Sequence, residues 1–174
     1  QIRTLADTIP DEDFFKEEVC ERFITLLSLR TPIEPVIRVM HETGILKKLI
    51  PEFESIRFMV EYDSYHEFTV DQHTLLALFT LDEIKNDTDF INVYETIDDI
   101  VTLRMAIVLH DIGKSMKGSH SYNSAVMVSI ICDRLNISES RKNDISWLVH
   151  NHLELSEFTF QREPELDVLQ QFAQ

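Results

Sequence analysis

The chain has 174 residues, 44% apolar and 27% charged, with three glycines and five prolines; this suits one continuous core and excludes disorder, collagen-like repeats and a loop-rich sandwich. Sixteen Lys and Arg against 31 Asp and Glu leave a formal charge of −15. Such a chain has no general attraction for nucleic-acid phosphates or anionic lipid, so neither nucleic acid nor membrane is expected as a partner, and an anionic substrate must meet a local positive charge of the kind a metal supplies.

In chain order the pattern is helical throughout, which predicts an all-α bundle. From Phe14 to Leu29 the apolar positions Phe14, Phe15, Val19, Phe23, Ile24, Leu26 and Leu27 recur at helical spacing. Thr31 and Pro32 stop that helix, and the next runs from Ile33 to Thr43 with Gly44 as its C-cap. A short turn over 45–50 precedes Pro51, and the aromatic and β-branched stretch from Phe58 to Thr69 reads as extended or loop. Val70 to Ile84 is helical again. Residues 82–99 carry seven acids against one Lys and read as a solvated connection. Ile100 to Leu109 is apolar apart from Thr102 and Arg104, which predicts a buried central helix. Helices follow over Ser121–Leu135, with Asn136 as C-cap, and over Ser138–Leu153; a last one is expected from Pro164 to Phe172.

These elements predict a single helical domain over 1–174, with N-terminal helices in 1–57, a core in 58–163 and a C-terminal helix in 164–174. Cys20 and Cys132 stand far apart without C-x-x-C spacing, so reduced thiols and a cytoplasmic home are expected. The apolar stretch Met105–Leu109 is far short of a membrane span. Gln1 in place of an initiating Met points to a piece of a longer protein.

The chemistry lies in the histidines. His110 and Asp111 are adjacent at the end of the most apolar helix, where an ionised Asp is expensive unless something pairs with it. A divalent metal is an economical partner, because imidazole and carboxylate together suit Mn, Fe, Zn and Co. His73 lies on the preceding long helix, His120 opens the following one and His152 closes the next, so four consecutive helices each offer a histidine near an end. His41 and His66 read as structural or surface residues. Asp111 is the natural bridging ligand for one or two ions, which would polarise a phosphoryl oxygen and acidify water. Lys114 would neutralise charge developing on the phosphate. As a buried unpaired carboxylate, Asp111 is also expected to stabilise the metal-free fold when replaced by Ala.

The order H … H-D-x-x-K … H … H resembles the HD superfamily of metal-dependent phosphohydrolases. Longer segments narrow the likeness: M-H-E-T-G-I-L at 40–46, I-P-E-F at 50–53, Y-H-E-F-T-V-D-Q-H-T-L at 65–75, L-H-D-I-G-K at 109–114, G-S-H-S at 118–121 and W-L-V-H-N-H-L at 147–153. Over about Phe23 to Arg162 the chain resembles the HD domain of the bifunctional uridylyltransferase/uridylyl-removing enzymes. The resemblance implies hydrolysis of the phosphodiester joining UMP to a tyrosine of the PII nitrogen-regulatory protein. It implies a divalent ion, Mn first, with Fe, Zn, Mg or Co also compatible. Transferase and ACT domains would flank this segment in the parent chain.

By position, the resemblance makes His73, His110 and Asp111 metal ligands, with His120, His152 and Glu163 available for further coordination. Some positions depart from the family pattern. Asn151 replaces the first of a histidine pair, Glu163 stands where an Asp is usual, and Tyr122 and Ser124 replace an acid and a glycine. Three alternatives therefore stand beside uridylyl removal: hydrolysis of free nucleotides or cyclic phosphodiesters, a catalytically weakened regulatory module, and metal storage or sensing.

Overall fold

The computed structural model describes residues 6–60 and 68–154, and every regular element among them is helical. The helices are α1 (Glu17–Ser28), α2 (Glu34–Thr43), α3 (Leu46–Leu49), α4 (Val70–Glu83), α5 (Ile91–Glu95), α6 (Ile100–Leu109), α7 (His120–Arg134) and α8 (Glu139–His150). None is long and apolar enough to cross a membrane. The expected helix over 164–172, together with His66 and Glu163, lies outside the described residues.

Most boundaries follow local chemistry. Gly44 ends α2 at φ +80°, a left-handed conformation that a Cβ disfavours, and Asn136 takes the same region at φ +57° beyond α7. The helix expected from Phe14 begins instead at Glu17. Lys16 is extended there, and Asp11–Phe15 forms a separate 3-10 turn that buries Phe14. Asp99 caps α6 by accepting from the Val101 and Thr102 amides, and it also binds Arg141 of α8 at 2.7 Å.

Helix α6 is the centre of the bundle. Eight of its ten residues are buried, and it packs on α1, α4 and α8. Its one charged residue, Arg104, is wholly buried and donates to the carbonyls of Leu27 (2.8 Å), Leu29 (2.5 Å) and Thr31 (2.9 Å). Those carbonyls are left over where α1 stops and the chain turns into α2. Across the same corner, Asp82 of α4 accepts from the Ile33 and Glu34 amides at 2.7 Å each and lies 3.4 Å from Arg104. One guanidinium and one carboxylate therefore satisfy both ends of the α1–α2 turn and tie it to α4 and α6.

This overturns part of the reading of 82–99 as a solvated connection. Asp82 is 4% exposed, on the face of α4 that also carries Leu75, Leu78 and Leu81. Tyr94 of α5 is buried in a small second cluster with Leu81 and Ile100. The acidic composition hid two positions that keep helical phase with the core. Cys20 and Cys132 are both buried and unbridged.

Arg104→Ala should cost about 3–5 kcal/mol in urea unfolding, because Asp82 and three backbone carbonyls lose a buried partner together. A loss below about 1 kcal/mol would mean that the corner does not depend on this side chain.

Candidate functional site

Helix α6 delivers His110 as its C-cap residue, and Asp111 follows at φ −107° and ψ 5° before a 3-10 turn over Ile112–Ser115. Gly113 allows that turn to press against α7. A Cβ there would stand 2.5 Å from the Ser124 amide nitrogen and 2.7 Å from the His120 carbonyl oxygen. The Gly113 amide donates to the buried Ser124 hydroxyl at 2.9 Å. This contact brings the first residue of α7, His120, towards Asp111.

Asp111 is the hub of the site, 2% exposed. Its Oδ2 is 3.1 Å from His110 Nε2, 3.8 Å from His73 Nε2 and 3.1 Å from Lys114 Nζ. Its Oδ1 is 3.7 Å from His120 Nε2 and 3.8 Å from His152 Nε2. The rings also meet in sequence, His73 with His110 and His110 with His152 edge to face and His152 with His120 tilted, with centroids 5.1–5.4 Å apart. Two groups of three donors result, His73–His110–Asp111 and Asp111–His120–His152, with the carboxylate common to both.

The backbone fixes the chemistry of two of these rings. His110 Nδ1 lies 2.7 Å from the Ile107 carbonyl and His152 Nδ1 lies 2.7 Å from the Val149 carbonyl. A carbonyl only accepts, so each Nδ1 carries a hydrogen and Nε2, the nitrogen turned to Asp111, is the one through which the ring could bind a metal. Burial, reinforced by His110 and His120, lowers the pKa of His152 below its ordinary 6.5 against the Val149 carbonyl and Asp111, so this ring is neutral at pH 7. Burial alone would raise the Asp111 carboxyl, but the His110 ring and the Lys114 ammonium outweigh it and hold it far below the usual carboxylate range. Asp111 is therefore ionised and paired. The expectation that it is a lone buried charge fails, because Lys114 lies against it with a side chain 8% exposed.

The donor set suits a divalent cation. One ionised carboxylate and four imidazoles, two with Nδ1 held by a backbone carbonyl and Nε2 turned to the carboxylate, suit Mn, Fe, Zn or Co. All six expected site residues that are described, His73, His110, Asp111, Lys114, His120 and His152, come together here; Glu163 is outside the described residues.

The sequence reading missed the support behind His73. His41 of α2 is structural, one of the two roles expected of it: it is buried and hydrogen-bonded at 2.9 Å to Asp71 in the first turn of α4. Asp71 also accepts from the Phe58 amide, and Arg38 of α2 donates to Gln72 at 3.1 Å. These bonds clamp the turn that carries His73. The available signal was the one-turn spacing of Arg38 and His41 on a helix opposite an Asp-Gln-x pair.

The departures from the family pattern also gain structural roles. Ser124 is wholly buried and accepts from Gly113. Asn151 donates to the Trp147 carbonyl at 2.8 Å and so caps α8, leaving His152 beyond it to face Asp111. Tyr122 is 60% exposed and lines a cleft between α7 and α8 with Trp147, His150 and Asn151.

The family described as HD domain matches residues 70–172. The chain is 34% identical over 160 residues to a bifunctional uridylyltransferase/uridylyl-removing enzyme of Zymomonas mobilis, covering 88% of this chain and 17% of that protein. It is 36% identical over 151 residues to the same-named enzyme of Azospirillum brasilense, covering 83% and 16%. For the enzyme of Ruegeria pomeroyi the figures are 30% over 164 residues, covering 90% and 18%. The chain thus spans less than a fifth of the length of these relatives.

Because Asp111 belongs to both donor groups, Asp111→Ala should abolish Mn binding in a titration, whereas His120→Ala should retain the His73–His110–Asp111 group and its ion. In the metal-free form Asp111→Ala should be destabilised by about 3 kcal/mol, since it breaks the buried pair with Lys114. Full Mn occupancy in Asp111→Ala would refute the site.

Proposed function

Because this chain belongs to the HD domain family of metal-dependent phosphohydrolases, we propose that it hydrolyses a phosphodiester carried on a protein, releasing UMP from a uridylylated PII-type signalling protein. The observation that carries the hydrolytic part is the sharing of Asp111 between two donor groups, with a Lys ammonium on the same carboxylate. The choice of substrate is supported by the names of relatives at 30–36% identity over more than four-fifths of the chain.

His73, His110 and Asp111 would hold one ion, and Asp111, His120 and His152 are suited to a second, with Glu163 a further proposed ligand. A divalent ion there supplies a Lewis acid for a phosphoryl oxygen and a lowered pKa for water, Mn being the first choice of metal. The protein's own part is orientation and charge. The Ile107 and Val149 carbonyls engage Nδ1 of His110 and His152 and so orient Nε2 of each ring as the ligating nitrogen. Lys114 lies 3.1 Å from Asp111 and supplies a fixed positive charge beside the donor groups, where charge would develop on the phosphoryl oxygens. The low pKa of Asp111 keeps the carboxylate available across the physiological range.

The transferase and ACT domains expected in the parent chain would supply uridylyl transfer and its regulation, and neither activity is assigned to this segment. With Mn, the protein should release UMP from uridylylated PII. Lys114→Met should lower kcat by about 10²–10³ while retaining the metal, as expected for loss of one electrostatic contact to the transition state. Rapid turnover of free nucleotides or cyclic phosphodiesters with none of uridylylated PII would replace this reading with the general phosphohydrolase one.

A further inference from the structure

Beside the donor groups, a slot of about 370 Å³ opens between α4, α6 and α8. Its walls are Ala77 of α4, Leu103, Ala106 and Ile107 of α6, and Leu148 of α8. Ala77 and Ala106 are the smallest side chains of its lining, so a larger one directed into the slot from either position would take up part of its volume. The slot ends at His110 and His152, two of the proposed ligands, so its occupant would sit directly beside the reacting phosphorus.

The lining decides what kind of group fits. The five walls are aliphatic, and the two imidazoles have their Nδ1 atoms bonded to backbone carbonyls and their Nε2 atoms turned to Asp111. Among the described residues, the lining therefore offers no side-chain donor or acceptor to a ligand. A nucleobase brings a polar N–H and carbonyl oxygens that would be buried without partners, which is costly. A phenyl ring brings none. Its single polar atom is the oxygen bonded to phosphorus, and that atom would emerge at the histidine end.

We propose that this slot seats the aromatic ring attached to the leaving oxygen, as on a tyrosyl phosphodiester, and so makes the site selective for aryl over alkyl esters. The inference rests on the phosphodiesterase reading, and it assigns the base to some other surface.

Calorimetric titration of the Mn-loaded protein with phenyl phosphate, methyl phosphate and UMP tests the slot without requiring turnover. Phenyl phosphate should bind about tenfold or more tighter than methyl phosphate, as burial of an aryl ring requires. Ala77→Leu should abolish that preference while leaving Mn stoichiometry and methyl phosphate affinity unchanged. Equal affinity of the wild type for the two esters would overturn the proposal without any variant. It would equally be overturned if Ala77→Leu weakened UMP binding and spared phenyl phosphate, because the slot would then hold the base. UMP release from uridylylated PII is scored separately in the same preparation. An aryl preference without that release contradicts the proposed substrate and leaves the slot assignment standing.

Discussion

A carboxylate 2% exposed and fully ionised is the constraint around which this bundle is arranged. Left alone, Asp111 would cost several kcal/mol in an apolar interior. Four imidazoles and one ammonium converge on it, from α4, from the end of α6, from the 3-10 turn, from the start of α7 and from beyond α8. Each reaches Asp111 only if its helix ends in the right place. The helix boundaries are therefore part of the chemistry, and the residues that set them act on the site from a distance. Arg104 and Asp82 fix the corner against which α6 packs, His41 and Arg38 hold the first turn of α4, and Gly113 lets the turn after Asp111 meet α7.

The same arrangement reconciles an acidic chain with a substrate that carries negative charge. The net charge of −15 would repel a phosphodiester over the general surface. At the site the only carboxylate in the two donor groups is already matched by Lys114, and the remaining donors include neutral imidazole. A bound divalent cation would then leave this small region positive. The division of the carboxylate is also specific, with Oδ2 facing His73 and His110 and Oδ1 facing His120 and His152.

Much of this was legible in the sequence, for identifiable reasons. Helix α6 announced itself because ten residues carry only Thr102 and Arg104 as polar interruptions, and the four histidines were recognisable because each stands at the end of a periodic segment. What remained hidden was long-range pairing. Asp82 looked like one more acid in an acidic stretch, since nothing local reveals that the amides of Ile33 and Glu34, almost fifty residues earlier, wait for it. His41 looked structural, and its bond to Asp71 depends on how α2 crosses α4. Ser124 and Asn151 looked like losses against a family pattern. Their hydroxyl and amide instead satisfy local backbone groups, of Gly113 and Trp147, that composition cannot display. The slot beside His110 was hidden likewise, because Ala77 and Ala106 become neighbours only when α4 packs on α6.

The most direct test of the central claim is an anomalous difference map, collected at the Mn absorption edge, from crystals of this protein grown with Mn. The account predicts a peak within coordination distance of Asp111, flanked by His73 and His110 or by His120 and His152, with the Nε2 atoms as the nitrogen ligands. Mn bound elsewhere while Asp111 keeps only its contacts with Lys114 and the histidines would contradict it.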